Sequence, residues 1–257
     1  DAVAVRSFPH DNGAFTQGLL FHDGHFYEST GLYGRSTLRK VDPRSGRVVK
    51  RLDLPDRFFG EGLTLLDGRL IQLTWKAGRG LVYRETDTGF ELLEGESFRY
   101  PSQGWGLTHD GRRLILSDGT SRLYFVDPDT GDLSGPVQVT EDGRPVSGLN
   151  ELEYVGGRVF ANVWRSNRIL IIDPADWRVT GVVNVDPSSL MDPGEMPGLN
   201  RESVLNGIAW DAEGDRLFIT GKRWPRVFEI ELRPTKGGTG VAPRQQADGG
   251  PSSGRRP

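Results

Sequence analysis

In the segment FFGEGLTLLDGRLIQLTWK, residues 58–76, a glutamate stands between two glycines and an indole closes the next apolar run. The flanking glycines let a substrate come close to the backbone at Glu61. An indole such as that of Trp75 beside the carboxylate would raise its pKa toward the range of a general base. The same carboxylate can equally cap backbone amides, and spacing alone leaves these two readings level. Other chemistries fall away on residue types. The chain has no cysteine, which removes thiolate nucleophiles, thiolate zinc sites and disulfides and leaves the redox compartment open. No G-x-S-x-G elbow, Walker loop or H-E-x-x-H occurs, and GEGLTL and GWGLTH lack the third glycine of a dinucleotide fingerprint. His10, His22, His25 and His109 lie in or beside turns with no paired metal spacing, so surface positions are expected for all four.

The elements that must position Glu61 follow from the pattern around it. The 257 residues, 35% hydrophobic and 26% charged, are enough to bury a full core. A net charge of −3 with both signs interspersed gives no basic stripe for a polyanion, so nucleic acid is not expected as a partner. Apolar runs are strand-sized, well short of the roughly 20 residues of a membrane helix, so no membrane association is expected. Short alternating runs lie between Asp-Gly and Asp-Pro turns, and no long stretch keeps a helical period, which predicts an all-β chain.

The runs repeat. QGLLFHDGHFYESTG (17–31), EGLTLLDGRLIQLTW (61–75), WGLTHDGRRLILSD (105–118), ELEYVGGRVFANVW (151–164) and NGIAWDAEGDRLFITGK (206–222) each read as strand, tight turn, strand. Their turn glycines, Gly24, Gly68, Gly111, Gly157 and Gly214, are 44, 43, 46 and 57 positions apart. A third strand, an acidic turn and a fourth apolar strand follow in the first four copies. Units of this length cannot bury both faces alone and predict a five-bladed β-propeller of four-stranded antiparallel blades. The last copy ends after RVFEIEL (226–232), and AVAVRSF (2–8) is expected to supply its outer strand and close the ring. Residues 1–232 form the single catalytic domain in this reading; 233–257, poor in large apolar residues, form a disordered low-complexity tail.

The first strand of a blade lines the central channel and the second runs back beside it. Aligning the copies on their first glycine puts Gln17, Glu61, Trp105, Glu151 and Asn206 around one mouth of the channel. The ends of the second strands bring Trp75, Trp164 and Lys222 to the same mouth, as an aromatic-walled pocket with few polar groups. Packing for the three tryptophans and solvation for Lys222 are the alternatives; Trp177, Trp210 and Trp224 are read as structural. The long connection 186–203 emerges on this face as a lid or as a solvated insertion.

The segments FTQGL (15–19), FGEGLT (59–64), QLTWK (72–76), GWGLT (104–108), LNELE (149–153), ANVW (161–164), VLNGIAW (204–210) and ITGK (219–222) together resemble the glutamine cyclotransferases of the plant and bacterial type, or glutaminyl cyclases, from about residue 10 to 232. The resemblance implies a five-bladed propeller that converts N-terminal glutaminyl residues of peptides or proteins to pyroglutamate and releases ammonia. The family's active-site residues correspond to Gln17, Glu61, Trp75, Trp105, Asn150, Trp164 and Lys222, without substitution. In that chemistry Glu61 serves as general base and then general acid. Lys222, Gln17 and an indole N–H are the candidate oxyanion donors. Trp75, Trp105, Trp164 and Asn150 bind substrate, joined by Glu151 and Asn206 from the ring.

No cofactor is required and no metal ligand is assigned, although a structural Ca²⁺ in the channel is compatible with the ring. The resemblance also implies export in bacteria, and a chain starting at Asp1 without methionine fits a mature periplasmic or secreted protein; a monomer is expected. Two other readings stand beside this one. A Ca²⁺-dependent lactonase-like hydrolase would use Glu61, Glu151 and Asn206 as oxygen ligands, and a non-catalytic propeller would bind peptides at the tryptophan mouth.

Overall fold

The computed structural model describes residues 1–234 as five sheets around a central axis, antiparallel throughout their four-stranded blades. Blade 1 is Thr16–His22, His25–Thr30, Thr37–Val41 and Val48–Asp53. Blade 2 runs Gly60–Leu66, Arg69–Thr74 and Arg79–Glu85, and its outer strand is broken into Phe90–Leu92 and Phe98–Arg99. Blade 3 is Leu107–His109, Leu114–Ser117, Arg122–Val126 and Leu133–Gln138. Blade 4 is Leu149–Val155, Arg158–Val163, Arg168–Asp173 and Arg178–Asn184, extended at its edge by a hairpin at 140–145. Blade 5 has Leu205–Asp211, Arg216–Gly221 and Arg226–Leu232. Its fourth strand is Ala2–Pro9, paired antiparallel to Arg226–Leu232, so the first residues close the ring as the sequence predicts.

Three inner turns are tight because two successive residues accept the left-handed conformation. Asp23-Gly24, Asp67-Gly68 and Gly156-Gly157 all have positive φ, the geometry of a hairpin whose twist matches its strands. The fifth copy turns differently. Its pairing ends at Asp211 and Arg216, and Asp215 rather than Gly214 takes positive φ.

Five apolar clusters fill the five seams between blades. Leu63, Leu70 and Leu81 meet Leu20, Tyr27 and Leu38 between blades 1 and 2, and Phe26, Phe218 and Val227 close the seam between blades 5 and 1. His10 crosses this last seam. It is not on the surface as expected: its side chain is 4% exposed, with Nδ1 2.6 Å from the Trp224 carbonyl and Nε2 3.0 Å from Glu28 Oε1. Burial, the largest single influence, would lower its pKa, but Glu28's charge and hydrogen bond, the Trp224 carbonyl and the charge of Asp11 together raise it. His22 is exposed, and His25 and His109 are partly buried. Of the tail read from the sequence, only Arg233 and Pro234 fall within the described residues.

The inner strands share a feature that the repeats do not reveal. Pairing slips at the start of blades 1, 2, 4 and 5, a β-bulge between Thr16 and Gly18, Gly60 and Leu63, Leu149 and Leu152, and Leu205 and Ile208. Bulges re-aim a side chain, and these hold Gln17, Glu61, Asn150 and Asn206. The fourth copy is therefore displaced by one residue from the sequence alignment: Asn150, not Glu151, matches Glu61. Glu151 falls where the other blades have glycine. A Cβ on Gly62 would strike Leu107 N, and one on Gly106 would strike the Asn150 carbonyl, so inner strands touch backbone to backbone there.

Glu151 instead sends its carboxyl group across the axis, accepting from Ile208 N at 2.9 Å and Leu19 N at 3.3 Å. Burial, then the charge of Glu153, pushes it well above the usual carboxylate range. Glu153 accepts from Trp210 N at 2.9 Å and is pushed up to about 8 by burial. A carboxyl group with a raised folded-state pKa binds its proton more tightly folded than unfolded. Its stabilising contribution is complete below about 4.5 and is lost as pH rises through about 8. Glu153 is partly exposed to solvent, which moderates the loss to the order of a few kcal/mol. Glu153→Gln should therefore be more stable than wild type at pH 9 and nearly equal to it at pH 5; denaturant titrations at the two pH values that give the same difference would contradict this.

Candidate active site

The bulges gather a buried polar floor at one end of the channel. Gln17 and Glu61 are each 4% exposed, Asn150 2%, Asn206 0% and Lys222 6%. Asn206 Nδ2 donates to the Thr16 carbonyl at 3.0 Å and to Gln17 Oε1 at 3.3 Å, and Gln17 Nε2 donates to Glu61 Oε1 at 2.9 Å. This chain fixes both amides. With Nδ2 committed to a carbonyl, Asn206 must turn its oxygen elsewhere, and Asn206 Oδ1 is buried without a protein partner, as is Asn150 Oδ1. Buried acceptors left without a partner are candidates to receive a ligand's N–H groups.

Burial raises Glu61 well above the usual carboxylate range; the Lys222 charge and the Gln17 hydrogen bond oppose that shift. Burial lowers Lys222, opposed by Glu61 and then Glu202. The two sense each other's charge without a direct ion pair. A carboxyl group tuned upward, facing a partly desolvated cation, can accept and return a proton near neutral pH.

An aromatic wall stands on this floor. Trp105 and Trp164 meet edge to face at 5.5 Å, Phe59 and Trp75 are 5.4 Å apart, and Phe15 packs on Phe59 at 6.3 Å. Lys222 Nζ lies 4.7 Å from the Phe15 ring centroid. The two halves of the wall are joined by Gln103. Its Oε1 accepts from Trp75 Nε1 at 2.5 Å and from Trp105 Nε1 at 3.1 Å. Both indole N–H groups are thus engaged by Gln103. Gln103→Leu should raise KM about fivefold to tenfold, the effect of freeing two indoles held by neutral hydrogen bonds of ~0.5–1.5 kcal/mol each, with kcat less affected. Gln103→Glu, which keeps the acceptor, should recover most of the loss; an unchanged KM in Gln103→Leu would remove Gln103 from the site.

The 186–203 connection is docked rather than loose along much of its length. Met191 is buried in the core cluster between blades 4 and 5, with Leu190, Met196 and Leu199 packed on it, and Glu195 bonds Arg226 at 2.7 Å. Its last residues reach the mouth, where Glu202 pairs with Arg165 at 3.2 Å and Ser203 O accepts from Trp224 Nε1 at 2.9 Å. Floor and wall contain Gln17, Glu61, Trp75, Trp105, Asn150, Trp164, Asn206 and Lys222. Glu151 is the exception, held by two backbone amides in the channel. Phe15 and Phe59, in FTQGL and FGEGLT, add two rings to the wall that the strand register alone does not single out. Gln103 and Glu202 had no signal at all. Among the described residues no set of three or more His, Asp or Glu side chains converges on a possible cation position.

The glutamine cyclotransferase family profile matches residues 1–232. A glutaminyl-peptide cyclotransferase of Arabidopsis thaliana is 43% identical over 246 residues, covering 94% of this chain and 74% of that protein. The crystal structure of Myxococcus xanthus glutaminyl cyclase superposes with a TM-score of 0.82 at 40% identity, covering 90% of this chain and 95% of the other. A streptogramin B lyase, at 12% identity and a TM-score of 0.50 over 89% of this chain and 97% of its own, shares the fold alone. With its motifs, its five blades and a family match over residues 1–232 all in accord, the chain belongs to the glutamine cyclotransferase family.

Proposed function

We infer that this protein is a glutaminyl-peptide cyclotransferase, an enzyme that converts the N-terminal glutaminyl residue of a peptide to pyroglutamate with release of ammonia. Family membership and the activity named for the Arabidopsis relative support the reaction class. The observation that carries the mechanism is the buried carboxyl group of Glu61, held by Gln17 and facing Lys222 beneath an aromatic wall. The α-amine attacks the side-chain carboxamide carbon, a new C–N bond closes the five-membered ring, and the old C–N bond breaks as ammonia leaves. The attacking nitrogen sheds a proton and the departing nitrogen gains one. Glu61 can carry that proton from one nitrogen to the other, as base and then acid.

Negative charge grows on the amide oxygen in the tetrahedral intermediate, and Lys222 is the donor we assign to it. Gln17 orients Glu61. The open oxygens of Asn150 and Asn206 accept from the amine N–H groups, and Trp75, Trp105 and Trp164 hold the side chain folded back on its amine, which lowers the entropic part of the barrier. Each of these steps is proton transfer, charge stabilisation or positioning, and needs no cofactor.

The test is ammonia release from a short peptide with N-terminal glutamine, with and without EDTA, and mass spectrometry of the product. Loss of one ammonia per peptide that survives EDTA is expected. No release in either condition would refute the cyclase, and release abolished by EDTA and restored by Ca²⁺ would refute the metal-free mechanism.

A further inference from the structure

The chain is net acidic at −3, yet its site mouth is ringed by cations. Three of them follow a site residue directly: Lys76 after Trp75, Arg165 after Trp164 and Arg223 after Lys222. Each comes just after the second strand of its blade and stacks on a wall aromatic, Lys76 Nζ 4.0 Å from the Trp75 centroid, the Arg165 guanidinium 4.4 Å from Trp164 and that of Arg223 5.5 Å from Phe15. Arg165 and Arg223 have φ of 56° and 60°, a conformation that side chains other than glycine's rarely adopt. Strain of this kind gathers at functional sites. The charges are also unevenly compensated. Glu202 takes Arg165, whereas among the described residues no carboxylate forms an ion pair with Lys76 or Arg223.

These cations lie on the path that a peptide must take. On the cyclase reading the first residue would occupy the floor between Glu61 and Lys222, and the chain would leave across the wall formed by Phe15, Phe59 and Trp75. We propose that Lys76 and Arg223, with Arg165, form a basic collar that selects peptides carrying aspartate or glutamate in the first residues after the N-terminal glutamine. The proposal rests on the cyclase reading and adds its substrate class. Cations held against aromatic faces are fixed in place before the substrate arrives, so they attract carboxylates without first ordering a long side chain.

Three amidated pentapeptides test it: Gln-Glu-Glu-Phe-Ala, Gln-Ala-Ala-Phe-Ala and Gln-Lys-Lys-Phe-Ala. At low ionic strength kcat/KM should fall in that order, with about a fivefold to tenfold span between the acidic and basic peptides, carried by KM. The span should collapse near about 0.5 M salt, where screening shortens the reach of exposed charges. Within the Lys76→Glu/Arg223→Glu variant the order should reverse, and within Lys76→Gln/Arg223→Gln it should flatten; both readouts are ratios inside one protein, so a general loss of activity does not mask them. Equal rates on all three peptides, or a preference that ignores salt and charge reversal, would overturn the collar and leave the cyclase standing. If none of the three releases ammonia, the cyclase reading fails and the collar fails with it.

Discussion

Glu61→Gln is expected to lower kcat by about 10³-fold or more, since one side chain serves as both base and acid in steps each worth about 10² to 10⁴. The fold should be unaffected. Gln17 Nε2 can still donate to the amide oxygen in place of Glu61 Oε1, and a neutral amide removes a carboxyl group whose ionised form burial disfavours, so the melting temperature should be equal or higher. Glu61→Asp retains a proton carrier on a shorter arm and should keep a measurable fraction of the rate. The pH profile carries the same information. The reactive form of Glu61 is the carboxylate, and burial raises its pKa, so wild-type kcat should fall on the acid side while pH is still well above the ordinary carboxylate value of 4.5. A Glu61→Gln enzyme within tenfold of wild type would exclude Glu61 as the proton carrier.

Much of this architecture was legible because it repeats. Asp-Gly and Gly-Gly turns need two left-handed residues, and that requirement is written into residue type at Asp23-Gly24, Asp67-Gly68 and Gly156-Gly157. Strand reversal then places Trp75 and Trp164 at the same mouth as Glu61. What the sequence hid has physical causes. A bulge adds a residue without changing composition, so an alignment on glycines put Glu151 in the ring when the bulge presents Asn150. His10 looked like a turn residue because its acceptors, Glu28 and the Trp224 carbonyl, are 18 and 214 positions away. Gln103 is a polar residue in a loop, and only the convergence of two indoles on its oxygen gives it a role. The blade 2 edge is broken at 90–99 where a continuous fourth strand was expected.

The register shift at Glu151 makes the second large prediction one of stability rather than catalysis. Its carboxyl group satisfies Leu19 N from blade 1 and Ile208 N from blade 5 in a channel where no other side chain takes the glycine position. Glu151→Ala would leave both amides buried without acceptors and open a cavity on the axis. An unpaired buried amide costs about 1 to 3 kcal/mol, and the lost packing adds to it, so a loss of about 3 to 5 kcal/mol is expected. Glu151→Gln separates the two candidate roles. The amide keeps one acceptor oxygen but turns an NH₂ group toward the other backbone N–H, so it should lose about 1 to 3 kcal/mol, while kcat/KM of the folded enzyme at low temperature stays within a few-fold of wild type. A substrate-binding Glu151 would give the opposite pattern, with KM sharply raised and the denaturation midpoint unmoved. The predicted pattern has a further consequence for Glu153. Its charge contributes to the raised pKa of Glu151, so Glu153→Gln should bring the Glu151 titration down, and, because the double variant relieves one repulsion that each single variant already relieves, it should be more destabilised at high pH than the separate effects sum to.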